Sequence, residues 1–265
     1  MEHHKKYLKL ADTIINLQGR NVLEVGGCSP IDLILNYKPN CWTCVDLNAK
    51  AVSLFNENVR KRKIAKYSAN LIDISKFDTQ EKYDLIYSIN SFEHIHDLEK
   101  TLKKMYLALR PEGYLFTVFG PIWSSDVGHH LSISTENEQT LNFQQGILSP
   151  WEHLISTPKD LKTRLEQEYG SETAQKAVTY IYEYKDLNRL YEHEYFSIIK
   201  NSQFSKILSI KKRKGIAPKM DGVTNTRELM FILKKGDSHL LEKSMMLLKL
   251  VGACLTQRIY KLKGI

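Results

Sequence analysis

Residues 21–30, NVLEVGGCSP, contain the first pattern in the chain that suggests chemistry. An apolar run carries Glu24 near its end, Gly26 and Gly27 follow, and Pro30 opens the next amphipathic stretch. Glycines allow a ligand to approach the main chain, and the start of a helix attracts negative charge. The segment therefore predicts a cofactor-binding turn between a strand and a helix.

Two aspartates follow at suitable distances along the chain. Asp46 ends the apolar run WTCVD, where a carboxylate could accept hydrogen bonds from both hydroxyls of a ribose. Asp73 follows a third, weaker run, and the polar residues Asn90 and Ser91 follow a fourth. Because the carboxyl ends of parallel strands meet at one edge of a sheet, we expect these side chains to surround one ligand.

Histidines near the ends of the fourth and fifth apolar runs are candidate general bases, because imidazole titrates near neutral pH. His94 lies in FEHIHD after the fourth run, and His129 and His130 lie in GPIWSSDVGHH after the fifth. We expect the second segment to lie over the mouth of the sheet, with Asp126 orienting the catalytic imidazole. The alternatives are a packing role for His94 at a helix start and a surface loop with incidental histidines.

We predict no metal site. The adjacent His129 and His130 are poorly arranged to bind one ion together, although His153 and His193 could converge on them from a later segment. The cysteines lack the spacing of a metal site or a disulfide framework, and we interpret them as core thiols. They are Cys28, Cys41, Cys44 and Cys254.

The elements that must position these residues alternate in the way that is typical of βα units. Apolar runs alternate with amphipathic helix patterns through the first 120 residues, and two further strands follow later. The predicted strands are 21–25, 41–45, 65–68, 85–89, 114–119, 206–211 and 228–233. The predicted helices among the first five strands are 30–35, 49–61 and 98–109, with Pro111 and Gly113 ending the last one and turning the chain. This pattern predicts an α/β fold with a doubly wound, mostly parallel sheet.

Residues 121–204 predict a mostly helical insertion after the fifth strand, because they contain no convincing strand. One helix begins after Thr157 and ends at Gly170, and a broken second pattern continues towards Ile199. The insertion is rich in Tyr and Trp, which either form its own core or close over an acceptor as a lid. The residues predicted to bind the acceptor are Trp123, Ser124, Asp126, Asn188, Arg189 and His193.

Residues 238–265 form an amphipathic helix pattern that is rich in Leu and Met. Lys243, Lys249 and Arg258 make it too charged to span a membrane. Such a helix packs on the body of the protein or on a second copy in a homodimer, and peripheral contact with a membrane surface is the alternative. The predicted domains are a core (1–120 and 205–237), a helical insertion (121–204) and the C-terminal helix (238–265).

The chain carries 38 Lys and Arg against 30 Asp and Glu, a net charge of +8. Residues 206–235 hold nine cations and only two acids, so most of the excess lies in the last predicted hairpin. Such a run is either a solvated edge or an attraction for an anionic partner. The length of 265 residues, the 42% hydrophobic content and the polar start favour a globular cytoplasmic protein and exclude disorder and a membrane bundle.

In order and spacing, the segments LEVGG, VD, ID, YDLIYS, FEHI and LRPEGYLFTV resemble the successive motifs of class I S-adenosylmethionine-dependent methyltransferases. The likeness covers about residues 20–120, and the two late strands resemble the closing hairpin of that family. It implies a seven-stranded Rossmann-like sheet with only the last strand antiparallel, and S-adenosylmethionine as cofactor. The turn departs from the family pattern at Cys28 and Pro30, where further glycines are usual.

The resemblance also implies roles for individual residues. Glu24 and Gly26 would line the methionine end of the cofactor, Asp46 would hold the ribose, and Asp73 with the main chain of Ile74 would bracket the adenine. The predicted cofactor-binding residues are Glu24, Gly26, Gly27, Asp46, Leu47, Asp73, Ile74, Asn90 and Ser91. A nicotinamide-binding Rossmann domain is the alternative, but the chain lacks the GxGxxG pattern of that fold.

The function that we predict from the sequence is O-methylation of a polar small molecule, with a histidine as base. By analogy with lids of methyltransferases from bacterial surface-glycan and natural-product clusters, the expected acceptor is anionic, a phosphate-bearing or nucleotide-activated sugar used in polysaccharide biosynthesis. The basic hairpin favours a nucleic-acid methyltransferase as the first alternative, although the motifs of the exocyclic-amine and cytosine C5 enzymes are missing. The altered turn at Cys28 and Pro30 motivates the second, a non-catalytic methyltransferase-like binding partner.

Overall fold

The computed structural model describes the main chain of residues 2–135 and 138–262, and the side chains of residues 4–135 and 138–253. The side chains of Cys254 and Arg258, which the sequence analysis singled out, lie outside these ranges. The described strands are β1 (Asn21–Val25), β2 (Cys41–Asp46), β3 (Tyr67–Leu71), β4 (Tyr83–Ile89), β5 (Leu109–Phe119), β6 (Ser132–Ser134), β7 (Thr140–Asn142), β8 (Ser205–Arg213) and β9 (Thr226–Lys234). The described α-helices are α1 (Glu2–Ile15), α2 (Ile31–Leu35), α3 (Ala49–Arg62), α4 (Leu98–Ala108), α5 (Glu152–Ile155), α6 (Pro158–Tyr169), α7 (Ser171–Glu183), α8 (Glu192–Asn201) and α9 (Leu240–Leu262).

Seven strands form one sheet in the order β3-β2-β1-β4-β5-β9-β8. Strands β1 to β5 are parallel, and β9 runs antiparallel to both of its neighbours, β5 and β8. The order changes direction between β1 and β4, and open α/β sheets bind ligands beside the carboxyl ends of the strands at such a switch point. The predicted fold, a doubly wound seven-stranded sheet with only the last strand antiparallel, is confirmed.

Both faces of the sheet are covered by helices, which explains why its strands read as almost continuous apolar runs. On one face α1, α2, α3 and α9 pack on a core that contains the fully buried Trp42 and Tyr87. On the other face α4 and α8 pack around Phe92 and Phe119. A third apolar cluster lies within residues 123–187, so the insertion has a small core of its own.

Helix α4 and strand β5 meet without the turn that the sequence predicted. The helix ends at Ala108 and β5 begins at Leu109, so Pro111 and Gly113 lie within the strand. Leu109 pairs with Tyr83 of β4 before a register irregularity, and such an irregularity accommodates a proline that has no N–H to donate. The third strand is also displaced from its prediction, because it spans Tyr67–Leu71 rather than residues 65–68.

The insertion after β5 contains helices α5 to α8, together with a short hairpin of β6 and β7. Helix α6 begins after Thr157, whose side chain accepts a hydrogen bond from the N–H of Asp160, and it ends before Gly170. The predicted break between the next two helices spans residues 184–191. The hairpin was not predicted, because strands of three residues are too short to show a periodic pattern. No stretch within the described helices combines the length and the apolar character that crossing a bilayer requires.

Candidate functional site

The turn after β1 depends on Gly26. Its φ angle is +70°, and a Cβ atom built there would lie 2.1 Å from Oγ of Ser91. That hydroxyl donates to the carbonyl oxygen of Gly26 at 2.8 Å, so the turn after β1 and the end of β4 are in direct contact. Glycine is therefore required at this position both for its conformation and for the space.

A cavity of about 420 Å³ opens at the carboxyl ends of β1, β2 and β4, and its volume suits a small molecule or cofactor. Most of the predicted cofactor-binding residues line it. They are Gly26, Asp46, Leu47, Asp73, Ile74, Asn90 and Ser91. Their positions bring together loops that are far apart in sequence, while their individual roles stay predictions. Glu24 and Gly27 are not among the lining residues.

Glu24 lies beneath the turn rather than in the cavity. Its buried carboxylate accepts hydrogen bonds from the main-chain N–H of Ser29 at 3.0 Å, from Oγ of Ser29 at 2.6 Å and from Nε1 of Trp42 at 2.7 Å. A Cβ atom on Gly27 would lie 3.2 Å from the same carboxylate. The implied place of Glu24 at the methionine end of the cofactor is therefore corrected: Glu24 shapes the turn, because a buried charge needs such donors. The role of Gly27 in cofactor binding stays a prediction.

Asp46 is the last residue of β2, and Asp73 lies two residues after the end of β3. Oδ1 of Asp46 accepts from the N–H of Asn48 at 2.6 Å, and Oδ1 of Asp73 accepts from the N–H of Ser75 at 2.7 Å. Each bond orients its carboxylate at the edge of the cavity through one oxygen. Ile74 opens a short 3₁₀ turn, and the first N–H groups of a helical turn have no partner within it.

The lining of the cavity is acidic. Asp46, Asp73, Asp97 and Asp186 line it together with His94 and His96, and none of the described residues that line it is Lys or Arg. Such a lining attracts a cationic ligand and repels phosphate. It fits S-adenosylmethionine, the cofactor that the motifs imply, because that molecule carries a positive sulfonium and a ribose whose hydroxyls can donate to a carboxylate.

Of the three predicted bases, His94 lines the cavity. Its Nδ1 atom lies 2.7 Å from the main-chain carbonyl oxygen of Asp186. A carbonyl oxygen only accepts hydrogen bonds, so Nδ1 carries the proton and Nε2 of the neutral ring is the basic atom. The ring also stands edge-on to that of His130, with their centroids 5.3 Å apart.

His129 is buried and His130 is partly buried, and neither lines the cavity, which corrects their predicted place over the mouth of the sheet. Burial lowers the pKa of His129 to about 3 and that of His130 to about 4. Nε2 of His130 donates to the carbonyl oxygen of Pro121 at 2.5 Å, and Nδ1 of His129 accepts from the N–H of Leu131 at 3.1 Å. Both imidazoles are thus neutral groups that hold the loop after β5, and neither lines the cavity.

The predicted acceptor-binding residues of the same loop are buried too. Trp123 is 7% exposed, and Ser124, fully buried, accepts from the N–H of Glu192 at 3.2 Å. Asp126 accepts hydrogen bonds from both Nε, at 3.0 Å, and Nη2 of Arg227 on β9. The expectation that Asp126 orients a catalytic histidine is wrong, because its carboxylate forms an ion pair with an arginine 101 residues away.

The side chains of Asn188 and Arg189 donate hydrogen bonds to main-chain carbonyl oxygens. Nδ2 of Asn188 donates to the carbonyl oxygens of Phe92 and Ile95, at 2.6 and 3.0 Å, and so ties the link between α7 and α8 to the turn that carries His94. The guanidinium of Arg189 donates to carbonyl oxygens at the end of α7. Their predicted role as acceptor ligands is therefore corrected to one of positioning. His193 is exposed on α8 and lines neither of the two cavities described here.

An open groove of about 780 Å³ adjoins the cavity, because Asp186 lines both. Tyr180 and Tyr184 are among its lining residues and stack with ring centroids 4.4 Å apart and planes 14° from parallel. Lys176 and Lys185 also line the groove. In the sequence the tyrosines are only part of an aromatic-rich insertion, and no local pattern marks the lysines as residues that the fold brings beside a pocket.

The described residues contain no group of three or more His, Cys, Asp or Glu side chains that could hold a metal ion. Cys44 is buried on β2, where its thiol donates to Glu24, while Cys28 and Cys41 are partly buried. Burial raises the pKa of the Cys41 thiol. All three are free thiols, and Cys44 and Cys28 lie in or against the core.

Comparison with known proteins adds a family and a fold. A family model for a methyltransferase domain matches residues 2–170. The malonyl-[acyl-carrier protein] O-methyltransferase of Calditerrivibrio nitroreducens is 41% identical over 49 residues, which are 18% of this chain and 20% of that protein. The chain spans less than a third of the length of the curated relatives that it matches.

Two solved structures share the fold. A Mesorhizobium loti S-adenosylmethionine dependent methyltransferase superposes with a TM-score of 0.57 and 10% identity over 87% of this chain and 97% of that one. The YcgJ protein of Bacillus subtilis superposes with a TM-score of 0.51 and 10% identity, and the match covers 89% of this chain and 100% of that one. At these identities the likeness concerns the fold alone.

Proposed function

This chain belongs to the methyltransferase family whose domain model matches its residues 2–170, and we propose that it is an S-adenosylmethionine-dependent O-methyltransferase. The observation that carries the proposal is that Gly26, Asp46, Asp73 and His94 line one acidic cavity at the switch point of the sheet. The cofactor supplies a methyl group that is already activated by its sulfonium. The protein then has to bind and align the acceptor and remove its proton.

The cofactor would be held by the three loops that follow β1, β2 and β3. Gly26 allows close approach to the main chain, and the carboxylate of Asp46, oriented by Asn48, can accept from the ribose hydroxyls. Asp73 can accept from the exocyclic amine of adenine, beside the N–H of Ile74. The acidic lining stabilises the positive charge of the bound cofactor.

His94 would act as the general base. Its Nδ1–H donates to the carbonyl oxygen of Asp186, which fixes the tautomer that leaves Nε2 as the proton acceptor. The same carbonyl dipole stabilises the imidazolium that forms when Nε2 takes the proton of an acceptor hydroxyl. The turn that carries His94 is held in place by Asn188, so the base sits on a rigid support.

The acceptor we propose is a phosphate-bearing or nucleotide-activated sugar of the kind used to build surface polysaccharides. The acidic cavity repels phosphate, so the anionic part must lie outside it. The adjoining groove offers Lys185 and Lys176, the latter paired with Glu172, beside the acids Glu183 and Asp186. The stacked pair of Tyr180 and Tyr184 offers an apolar platform beside these cations. The net charge of +8 supports an anionic acceptor in general.

A second candidate is a carboxylate on a carrier protein. Two of the curated relatives are malonyl-[acyl-carrier protein] O-methyltransferases, and carboxylate methylation also needs an oxygen nucleophile. The segments that match them are 49 and 81 residues long. RNA ranks lower, because four aspartates at the cavity would repel a phosphate backbone that approaches the reacting atoms.

The test is a methyl-transfer screen with labelled S-adenosylmethionine over sugar phosphates, nucleotide-linked sugars, malonyl thioesters on carrier protein, and RNA. We expect transfer to a hydroxyl of a phosphate-bearing sugar. Lys176→Ala with Lys185→Ala should then raise KM about tenfold with kcat retained, because one charge-assisted contact contributes roughly 1.5–3 kcal/mol. The matched control replaces Lys103 and Lys159, exposed lysines on α4 and α6, by Ala.

The outcomes separate the parts of the proposal. Methylation of carrier-bound carboxylates alone would select the second candidate, and methylation of RNA alone would overturn the acceptor class. Calorimetric titration with S-adenosylmethionine, done before the screen, shows whether the protein binds the cofactor. If the protein does not bind the cofactor at all, the chain is a non-catalytic relative and the whole proposal fails.

A further inference from the structure

Helix α9 exposes an apolar face. Leu240, Leu241 and Leu248 are 71–80% exposed, and they share this surface with three further large apolar side chains. The outer face of α9, as we define it, consists of Leu240, Leu241, Ser244, Met245, Leu247, Leu248, Val251 and Gly252, all of them exposed. A soluble protein rarely leaves so continuous an apolar surface without a partner, so the face calls for an explanation.

The inner face of the same helix is docked. Met246 and Leu250 are buried in the core that α9 shares with α1 and the sheet. Nζ of Lys249 donates to the carbonyl oxygen of Ile14 at the end of α1, and Lys234 of β9 lies 3.0 Å from Glu242. These contacts set the orientation of α9. Because its inner face packs on the core, the outer face points away from the protein.

The neighbouring helix supplies positive charge. Helices α1 and α9 lie on the same face of the sheet and contact each other. Lys5, Lys6 and Lys9 are exposed on α1. Lys6 also borders, with Lys212 of β8 and Leu250 of α9, a small cavity of about 230 Å³ between the helices and the sheet. An apolar helix face and a row of lysines thus share one side of the molecule.

We propose that α1 and α9 together bind the surface of a membrane that contains anionic phospholipid. An amphipathic helix can lie in the interface of a bilayer with its apolar face in the acyl boundary, and basic residues beside it bind the lipid headgroups. Each lysine near an anionic surface adds electrostatic attraction, and each inserted leucine contributes through the hydrophobic effect. Apolar insertion and headgroup binding therefore act together.

Charge favours a membrane over a second copy of the chain. A symmetric dimer places the same patch of both copies face to face. Around the outer face of α9 this would bring the lysines of both α1 helices towards each other, and like charges in an interface oppose association. An anionic lipid surface complements the same lysines.

The experiment is flotation of the full-length chain with vesicles of zwitterionic phosphatidylcholine and with vesicles that contain about 30% phosphatidylglycerol. We expect retention on the anionic vesicles and release at high salt. Leu241→Ser with Leu248→Ser should reduce the retained fraction at least tenfold. The matched control, Leu54→Ser with Leu107→Ser, removes leucines of 56% and 45% exposure from α3 and α4 and should leave retention unchanged.

A second pair of variants tests the electrostatic part. Lys5→Gln with Lys9→Gln should abolish the preference for anionic vesicles, whereas Lys103→Gln with Lys159→Gln should not. Failure of the parent protein to float, or equal flotation of the leucine variant, would overturn the proposal. So would a dimer in light scattering that the leucine pair dissolves, because that result assigns the face to a second copy. These variants should bind S-adenosylmethionine as the parent protein does, so a titration with the cofactor separates membrane binding from the proposed enzyme activity.

Discussion

The Nδ1 atom of His94 lies 2.7 Å from the main-chain carbonyl oxygen of Asp186, a residue that lines both the acidic cavity and the adjoining groove. This one bond decides which nitrogen of the ring is basic. It also connects the turn after β4 with the link between α7 and α8, so the candidate base and the insertion share a contact.

Replacement of His94 by Ala should lower kcat about a hundredfold or more, because general-base catalysis contributes roughly that factor. Binding of S-adenosylmethionine should change by less than about threefold, since the proposed cofactor ligands stay in place. Steady-state kinetics and calorimetry measure the two effects. His239→Ala, at an exposed histidine before α9, is the control. An unchanged kcat would remove His94 as the base.

Asp46→Ala should weaken binding of S-adenosylmethionine and of its demethylated product by about tenfold to a hundredfold. The loss corresponds to the roughly 1.5–3 kcal/mol of hydrogen bonds to a charged group. Calorimetric titration measures it, and Asp78→Ala, at a carboxylate whose side chain is 85% exposed, serves as the control. Equal affinity of the Asp46 variant and the parent protein would show that the cofactor does not use this carboxylate.

Gly26→Ala should abolish cofactor binding and lower the free energy of unfolding by several kcal/mol. The new methyl group would lie 2.1 Å from Oγ of Ser91, in addition to the cost of the left-handed conformation. Gly146→Ala isolates the conformational cost, because Gly146 has a similar φ of +73° and open space around it, and it should cost only about 1 kcal/mol. Chemical denaturation measures both values. Combining Gly26→Ala with Ser91→Gly should restore part of the loss, and no rescue would argue against the clash.

Glu93→Gln should stabilise the protein above neutral pH. Burial raises the pKa of Glu93 to about 8, and its Oε2 atom has no hydrogen-bond partner among the described residues. In the unfolded chain the Glu93 carboxyl group loses its proton near pH 4.5, whereas in the folded protein it keeps the proton up to about pH 8. The free energy of unfolding therefore falls as the pH rises between these values. Glutamine mimics the protonated acid and should remove this slope, with a gain of roughly 4 kcal/mol at pH 8. Denaturation at a series of pH values measures it, with the exposed Glu99→Gln as control; an unchanged slope would contradict the assignment.

The buried histidines predict the opposite slope in acid. Burial lowers the pKa of His129 to about 3 and those of His130 and His153 to about 4. The unfolded chain takes up these protons below about pH 6.5, so stability is complete above that pH and is lost as the pH falls towards 4. Replacing His153 by Gln should remove about 1–3 kcal/mol of the loss in the free energy of unfolding at pH 4. The exposed His193→Gln is the control in the same denaturation series, and an equal effect of both variants would contradict the prediction.

The cofactor side of the site could be predicted from the sequence because it is local. Gly26, Asp46 and Asp73 lie at or within two residues of a strand end, and parallel strands place such positions at one edge whatever the side chains elsewhere do. The alternating pattern of strands and helices was sufficient to predict which strands lie in the sheet.

The acceptor side could not be predicted in the same way. The sequence predicts that the loop after β5 lies over the mouth of the sheet, but in the fold Asp126 pairs with Arg227 of β9 and most of the loop is buried. Helix α1 escaped prediction as well, because nothing in its basic sequence shows that Tyr7 and Leu8 become buried against the sheet.

The sequence by itself determined the order of the strands along the chain, the turn after β1 and the acidic residues at the strand ends, because periodicity and turn chemistry act over a few residues. Only the tertiary structure decided which histidine reaches the cavity, where Glu24 points and which face of α9 stays exposed. Those outcomes depend on partners such as Asp186, Trp42 and Ile14, which lie 18 to 235 residues away along the chain and which no local pattern can identify.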